Sequence, residues 1–134
     1  MNANLLKARQ RKELRVLIVD DSAAVREAVS RVCLSIPGIQ VIGQARDGLE
    51  GLTAIRQLKP DVVTLDIRMP KMTGLQVLKA LERENAGPII VVLTSLPADP
   101  YRQKCHELGA RYFLGKSRDL GSLEKLLLEL QVSQ

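Results

Sequence analysis

Five short runs of aliphatic, mostly β-branched residues recur along the chain, with room for one helix between each run and the next. Runs that are apolar over their whole length and separated by helix-length segments are typical of parallel strands buried on both faces. The predicted strands are 15–20, 40–45, 61–66, 88–94 and 111–115. This alternation constrains the chain to an α/β fold in which helices cover both faces of one sheet.

The segments between the runs carry the signals of helix ends. Ser22, Asp47 and Thr73 are N-cap residue types at the start of the first three segments, and Asp99-Pro100 predicts the fourth helix start, with proline at the first helical position. The last helix is expected to begin at Asp119 or Ser122. The predicted stops are Pro37-Gly38, Pro60, 85–87 and Gly109, and the predicted core faces include Leu49, Leu52 and Ile55 of the second helix and Leu120, Leu123, Leu126, Leu127 and Leu130 of the fifth.

Five such units predict a doubly wound, flavodoxin-like sheet with five parallel strands in the order 2-1-3-4-5 and five helices. Crossovers between parallel strands are right-handed, which leaves few other topologies. This order places a switch point between strands 1 and 3, and open α/β sheets bind ligands in the crevice at such a point. The predicted fold therefore also predicts where a functional site lies.

Polar residues stand where the predicted strands end. Asp20 and Asp21 follow the first run, Asp66 follows the third, Thr94 ends the fourth and Lys116 follows the fifth. Because the carboxyl ends of parallel strands lie at one edge of the sheet, we expect these side chains to converge there.

Three carboxylates at one edge repel each other, by about 4 kcal/mol for two unit charges 4 Å apart at an effective dielectric near 20. Such a cluster either raises a pKa or captures a cation, and oxygen ligands without histidine or cysteine favour Mg²⁺. A carboxylate beside Mg²⁺ and opposite a lysine is equipped to attack phosphorus and become an acyl phosphate. Lys116 and Thr94 would then bind the phosphoryl oxygens.

The chain has 134 residues, enough for one domain with a real core. Its formal net charge is +5, but residues 1–15 alone carry +4, because five basic residues stand there against Glu13. Most of the basic character thus belongs to the leading segment, within which an extension is predicted over residues 1–13, and this location disfavours nucleic-acid binding by the domain of residues 14–134. A solvated tail and an arm that touches a partner both remain open for the extension.

No apolar stretch approaches the roughly 20 residues needed to cross a bilayer, and the N-terminus lacks the apolar run of a secretory signal. Cys33 and Cys105 lie in helical patterns without Cys-x-x-Cys spacing, so we expect buried free thiols. These features predict a cytoplasmic protein with no membrane attachment.

The residues from about 14 to 132 resemble the receiver domain of two-component response regulators, with a length similar to the single-domain chemotaxis regulator. The matching motifs are Val19-Asp20-Asp21-Ser22, the run from Thr64 to Gly74 with its Asp-x-x-Met-Pro-x-Met-x-Gly pattern, Thr94-Ser95, and Phe113-Leu114-Gly115-Lys116. The resemblance implies a phosphoacceptor signalling module rather than a turnover enzyme.

The resemblance implies a role for each matching residue. Asp66 would accept a phosphoryl group from a phosphohistidine of a sensor histidine kinase or a histidine phosphotransfer protein. Asp20, Asp21, Asp66 and the backbone carbonyl of Arg68 would hold Mg²⁺, with Mn²⁺ able to substitute.

Thr94 and Lys116 would grip the phosphate, and Phe113 would be the switch aromatic. Their movement would reshape the surface of the fourth helix, fifth strand and fifth helix, which could meet an effector or a second copy of the chain. Arg68 and Leu96 stand where relatives tune phosphate lifetime, and Leu96 cannot orient a hydrolytic water, so we predict slow self-dephosphorylation. Ser117 departs from the proline that usually follows the lysine.

Three other functions agree less well with the residues. A degenerate receiver acting as an unphosphorylated scaffold is opposed by the intact set of acidic, threonine and lysine residues, although Ser117 leaves this alternative open. A small Mg²⁺-dependent phosphohydrolase is opposed by Ile67-Arg68 after Asp66, where such enzymes carry a second acid two residues on. A flavin or dinucleotide binder is opposed by the first loop, which has acidic residues and no glycine-rich phosphate cradle.

Overall fold

The computed structural model describes residues 11–85, 87–116 and 120–132. Strands and helices alternate throughout. The elements are β1 (Leu14–Val19), α1 (Ala23–Leu34), β2 (Ile39–Ala45), α2 (Gly48–Leu58), β3 (Val62–Leu65), α3 (Gly74–Glu84), β4 (Ile89–Thr94), α4 (Ala98–Glu107), β5 (Tyr112–Gly115) and α5 (Leu120–Val132).

The five strands form one parallel sheet in the order β2-β1-β3-β4-β5, which confirms the predicted doubly wound topology. Strand bounds differ from the predicted ones by at most one residue at either end. The central pair is in register, with Val19 of β1 beside Leu65 of β3. Because these two residues are the last of their strands, the acidic residues that follow them leave the sheet side by side.

Successive side chains of the central strands point alternately to two separate hydrophobic cores, one on each face of the sheet. On one face Leu17, Val63 and Val92 pack with apolar residues of α2, α3 and α4. On the other face Ile18 and Val91 pack with apolar residues of α1 and α5. Of the leucines predicted on the core face of α5, Leu123, Leu126, Leu127 and Leu130 are buried, and Leu120 is partly buried against the same core. Both cysteines are free and buried in these cores.

Leu49 departs from the predicted core face of α2, since 54% of its surface is exposed. Leu52 and Ile55 of the same helix are buried. Leu49 is the second residue of α2, which follows the edge strand β2. Helical periodicity alone does not distinguish an exposed apolar residue in the first turn of a helix from a buried one.

The first three helices begin as predicted. The side chains of Ser22 and Asp47 accept hydrogen bonds from the backbone N–H groups of the third residue beyond them, at 3.2 and 2.8 Å. Thr73 and Gln76 form a reciprocal capping box, in which each side chain accepts from the other's backbone N–H.

The predicted start of the fourth helix at Asp99-Pro100 is wrong, because α4 begins at Ala98 and is preceded by Pro97. Pro100 is therefore the third helical residue, where the missing N–H costs little since the first-turn N–H groups have no partner within the helix. Gly109 adopts φ +104° just after α4, in agreement with its predicted role as a helix stop. For α5, Asp119 lies outside the described residues, and Ser122 falls inside the helix.

Among the described residues, no helix combines the length and the apolar character required to cross a membrane.

Replacing Leu127 by alanine is expected to lower the free energy of unfolding by about 2–5 kcal/mol, because this fully buried side chain would leave a cavity between α5 and the sheet. Urea denaturation followed by circular dichroism measures the loss. The matched control is Leu34→Ala in α1, where 66% of the side chain is exposed and the change is expected to stay within about 0.5 kcal/mol. Equal losses in the two variants would contradict the assigned core.

Candidate functional site

The backbone of the sheet continues one residue past the strands that carry the site. The N–H of Asp20 donates to Ala45 O at 3.0 Å, that of Asp66 to Val19 O at 3.1 Å and that of Lys116 to Thr94 O at 2.9 Å. These three residues are therefore held rigidly at the carboxyl edge.

The ammonium group of Lys116 lies between two buried carboxylates. Its Nζ is 2.7 Å from Asp20 Oδ2 and 2.9 Å from Asp66 Oδ2. The other oxygen of each acid accepts a backbone hydrogen bond, from Ser22 N–H at 2.9 Å and from Ile67 N–H at 2.8 Å. Each carboxylate is thus oriented through both oxygens, and the lysine joins β1, β3 and β5.

Asp21 completes an acidic cluster with Asp20 and Asp66. One carboxylate oxygen of each residue can be chosen so that all three lie within 4.8 Å of one another. Asp21 is exposed, whereas Asp20 and Asp66 are buried.

Three carboxylates and one ammonium leave two formal negative charges, which a divalent cation would neutralise. The donor set consists of oxygen atoms alone, which suits a hard ion such as Mg²⁺. The residues present therefore fit the ion that the sequence predicted.

Burial and charge pairing shift the pKa of Asp20 in opposite directions, and they do the same to the pKa of Lys116. Burial raises the pKa of Asp20 above its ordinary 3.8, and the hydrogen bond from Lys116 only partly offsets this effect. Burial would lower the pKa of Lys116, but its hydrogen bonds to Asp20 and Asp66 outweigh that effect and raise it above 10.5. Lys116 therefore stays charged at neutral pH, and Asp20 is held as a carboxylate against the cost of its burial.

The loop that follows Asp66 is packed too closely for any side chain at two glycine positions. A Cβ at Gly74 would lie 2.2 Å from the backbone oxygen of Asp66, and a Cβ at Gly48 would lie 1.8 Å from that of Met72. The N–H of Gly74 also donates to Ile67 O at 2.7 Å, which ties the start of α3 to the loop. Gly74, the last residue of the Asp-x-x-Met-Pro-x-Met-x-Gly motif, is thus required because α3 begins against the backbone of Asp66.

No hydrogen bond or ion pair between the remaining predicted residues and the acidic cluster is found in the described part of the chain. Thr94 is buried, and its hydroxyl oxygen accepts a hydrogen bond from Leu96 N–H at 3.2 Å. Leu96 is half-buried against the core, and Arg68 is exposed two residues beyond Asp66. Phe113 is half-buried and aligns with Val92 of β4. Ser117, which departs from the family pattern, lies outside the described residues.

Sequence reasoning missed Arg26 of α1, whose guanidinium donates to the backbone oxygen of Asp20 at 2.7 Å. This bond holds the backbone of the acidic loop, whereas Lys116 holds the side chain of Asp20. A signal was present in the sequence, because a basic residue in the first turn of a helix opposes the helix dipole and calls for a local reason. Arg26 stands four residues after the Ser22 cap, close to the acidic pair.

Comparison with known proteins gives one family. Residues 16–128 match the response regulator receiver domain. A protein-glutamate methylesterase/protein-glutamine glutaminase of Methanospirillum hungatei is 38% identical over 88% of this chain and 35% of its own length. The chain spans about a third of the length of the first such relatives.

Two solved structures are similar throughout. The response regulator domain of Thermotoga maritima CheB has a TM-score of 0.79 and 33% identity, with 89% of this chain and 93% of that chain covered. One chain of the CheX–CheY–BeF₃–Mg²⁺ complex from Borrelia burgdorferi has a TM-score of 0.83 and 27% identity, with 95% of this chain and 99% of that chain covered.

Replacing Gly74 by alanine is expected to destabilise the fold by at least about 2 kcal/mol, because the new methyl group would meet backbone rather than a side chain that can rotate away. Urea denaturation measures this loss. Gly87→Ala is the control, since nothing lies within 4 Å of a Cβ built there. A Gly74→Ala variant as stable as wild type would show that α3 can withdraw from the Asp66 backbone at no cost.

Replacing Asp20 by asparagine is expected to raise the free energy of unfolding at pH 7 by about 1 kcal/mol in metal-free buffer, because it removes a buried charge and keeps an oxygen for Lys116. The folded-state pKa of Asp20 is raised, so the folded wild type takes up this proton before the unfolded chain does as the pH falls. The advantage of the asparagine variant should therefore shrink from neutral pH towards pH 4.

Urea unfolding at several pH values with a chelator present tests this expectation. Glu124→Gln in α5, an exposed position, controls for the loss of one negative charge. An asparagine variant that is less stable than wild type at pH 7 would mean that ion pairing with Lys116 outweighs the burial of Asp20.

Proposed function

The chain belongs to the response regulator receiver domain family, and on that basis we propose that Asp66 accepts a phosphoryl group from a phosphohistidine of a sensor histidine kinase or a histidine phosphotransfer protein. The observation that carries the proposal is the pairing of Lys116 with Asp66 at 2.9 Å inside the cluster formed with Asp20 and Asp21. This arrangement brings together a nucleophilic carboxylate, a fixed cation for the transferred group and oxygen ligands for a metal.

In the transfer, an oxygen of Asp66 forms a bond to phosphorus while the phosphorus–nitrogen bond of the donor breaks. The donor imidazole keeps the electron pair of that bond. Lys116 stays protonated and follows the charge onto the phosphoryl oxygens, because its raised pKa keeps the ammonium at neutral pH. The backbone N–H of Ile67 holds the second carboxylate oxygen, so that the first is presented in one orientation.

Asp20, Asp21, Asp66 and the backbone carbonyl of Arg68 are the proposed ligands of Mg²⁺, for which Mn²⁺ would substitute. When bound, the ion supplies positive charge that offsets the repulsion between the acid cluster and an incoming phosphoryl group. Asp20 and Asp66 are already oriented by backbone hydrogen bonds, so little reorganisation is required of them.

The acyl phosphate would act as a switch because it adds a dianion to a buried site. Thr94 is the proposed second phosphate ligand: its hydroxyl oxygen accepts a hydrogen bond from Leu96 N–H, and the hydroxyl group would donate its hydrogen to a phosphoryl oxygen. Rotation of Thr94 towards the phosphate would free space beside β4, on the face of the sheet where Phe113 of β5 also lies. The surface of α4, β5 and α5 would change in consequence, and an effector or a second copy of the chain would read that change.

The lifetime of the phosphate would depend on what lies over Asp66. Leu96 offers no polar group to orient an attacking water, and Arg68 has an exposed side chain long enough to pair with the phosphoryl group. We therefore propose slow self-dephosphorylation.

The chain would act as a cytoplasmic signalling module without turnover of small substrates. Residues 14–134 would form the receiver domain, and residues 1–13 would form a basic extension that precedes it.

Incubation with acetyl phosphate and Mg²⁺ is expected to add one phosphoryl group, about 80 Da, detectable by intact mass at neutral pH. Asp66→Asn is expected to abolish the adduct because the amide is not a nucleophile. Asp47→Asn is the matched control, since Asp47 is also a buried acid that follows a strand, and asparagine preserves its helix cap. Chelation of Mg²⁺ should abolish labelling in both the wild type and Asp47→Asn.

A phosphoryl adduct that persists in Asp66→Asn would assign the acceptor to another residue. Sustained release of phosphate from small phosphomonoesters over many turnovers would favour a phosphohydrolase instead. Absence of labelling in the folded wild type, together with no binding of beryllofluoride, would favour an unphosphorylated scaffold.

A further inference from the structure

One cation lies over the proposed switch aromatic. The guanidinium carbon of Arg102 in α4 is 5.1 Å from the centre of the Phe113 ring, and among the described residues it is the one cation found over that ring. Arg102 itself is exposed, and Phe113 is half-buried. A guanidinium at this distance attracts the face of an aromatic ring through the ring quadrupole.

The Phe113 ring forms part of the wall of a cavity of about 230 Å³ between α4 and β5. Its other walls include Arg102, Cys105, His106 and Arg111, whereas none of the acidic residues contributes to the lining found in the described part of the chain. The ring is therefore seated on the α4 side of the sheet edge, away from Lys116 and the carboxylates.

Phe113 is placed to respond to Thr94. The strand register pairs Phe113 with Val92 and Gly115 with Thr94, so Phe113 and Thr94 lie on the same face of neighbouring strands, two positions apart. A ring that turns towards space vacated by Thr94 has to leave the guanidinium of Arg102. The contact consequently exists in one arrangement and is lost in the other.

We propose that Arg102 is a positioning residue that holds Phe113 against α4 and so favours the unphosphorylated arrangement. The inference rests on the proposed function, because it assigns a direction to the switch driven from Asp66. It predicts that Arg102 weakens the response to phosphorylation, since a contact made in only one of two states shifts the equilibrium towards that state.

The expected size is modest because Arg102 is exposed. Loss of one exposed cation–π contact corresponds to a change of about two- to fivefold in the ratio of the two arrangements. If the unphosphorylated arrangement dominates, the apparent affinity for an acyl-phosphate analogue rises by the same factor when the contact is removed.

Phe113 is the only phenylalanine of the chain, which allows a direct test. Incorporation of 4-fluorophenylalanine gives a single protein ¹⁹F resonance that reports on this ring with and without beryllofluoride and Mg²⁺. Arg102→Met removes the charge and keeps an unbranched stem, Arg102→Lys keeps a cation, and Arg111→Met removes another exposed arginine that lines the same cavity.

In Arg102→Met without ligand, the ¹⁹F chemical shift is expected to move from the wild-type ligand-free value towards the beryllofluoride-bound value. Beryllofluoride binding is expected to be about two- to fivefold tighter than in wild type. Arg102→Lys should fall between this variant and wild type, and Arg111→Met should match wild type. An Arg102→Met resonance that moves without any gain in affinity, or an effect equal to that of Arg111→Met, would overturn the role of Arg102.

The same titration separates the inference from the function on which it rests. A wild-type resonance that shifts with beryllofluoride, combined with wild-type affinity in Arg102→Met, overturns the inference alone. A wild-type resonance that does not respond to beryllofluoride at all overturns both.

Discussion

The bridging ammonium of Lys116 is the interaction on which the rest of the site depends. Asp20 and Asp66 are both buried and lie at the ends of neighbouring strands, so without a cation between them the two carboxylates would repel across a short distance in a poorly solvated crevice. The lysine makes that proximity tolerable. Because its pKa is raised by the same contacts, it stays charged over the whole neutral range.

The pairing is incomplete by two negative charges, and in the proposed function this remaining charge is what would draw a divalent cation, and with it a phosphoryl group, to the site. A fully neutral cluster would have no reason to bind a divalent ion. Burial raises the pKa of Asp20, so the folded protein disfavours the charged form of this acid relative to water. Sites arranged for function commonly give up stability in this way.

Rigid backbone around the acidic residues keeps their geometry fixed before any ligand arrives. The sheet ladder extends to Asp20, Asp66 and Lys116, and Gly74 lets α3 begin against the backbone of Asp66. The two residues that the proposed switch would move are held by side-chain contacts, namely the hydrogen bond from Leu96 N–H to the hydroxyl of Thr94 and the guanidinium of Arg102 over the ring of Phe113. In the proposed function, a new dianion at Asp66 would therefore act from a fixed backbone on side chains that can rotate.

The sequence by itself determined the sheet, because runs buried on both faces are apolar along their whole length, and polar residues after them must emerge at one edge. It also located Asp20, Asp21, Asp66, Thr94 and Lys116, since each directly follows or ends such a run. Tertiary structure alone decided which side chains touch across distant segments: Lys116 on both acids, Arg26 on the Asp20 carbonyl and Arg102 on the Phe113 ring. It also decided the exposure of Leu49 and the start of α4 at Ala98, because burial and helix bounds depend on how the elements pack and not on local helical signals alone.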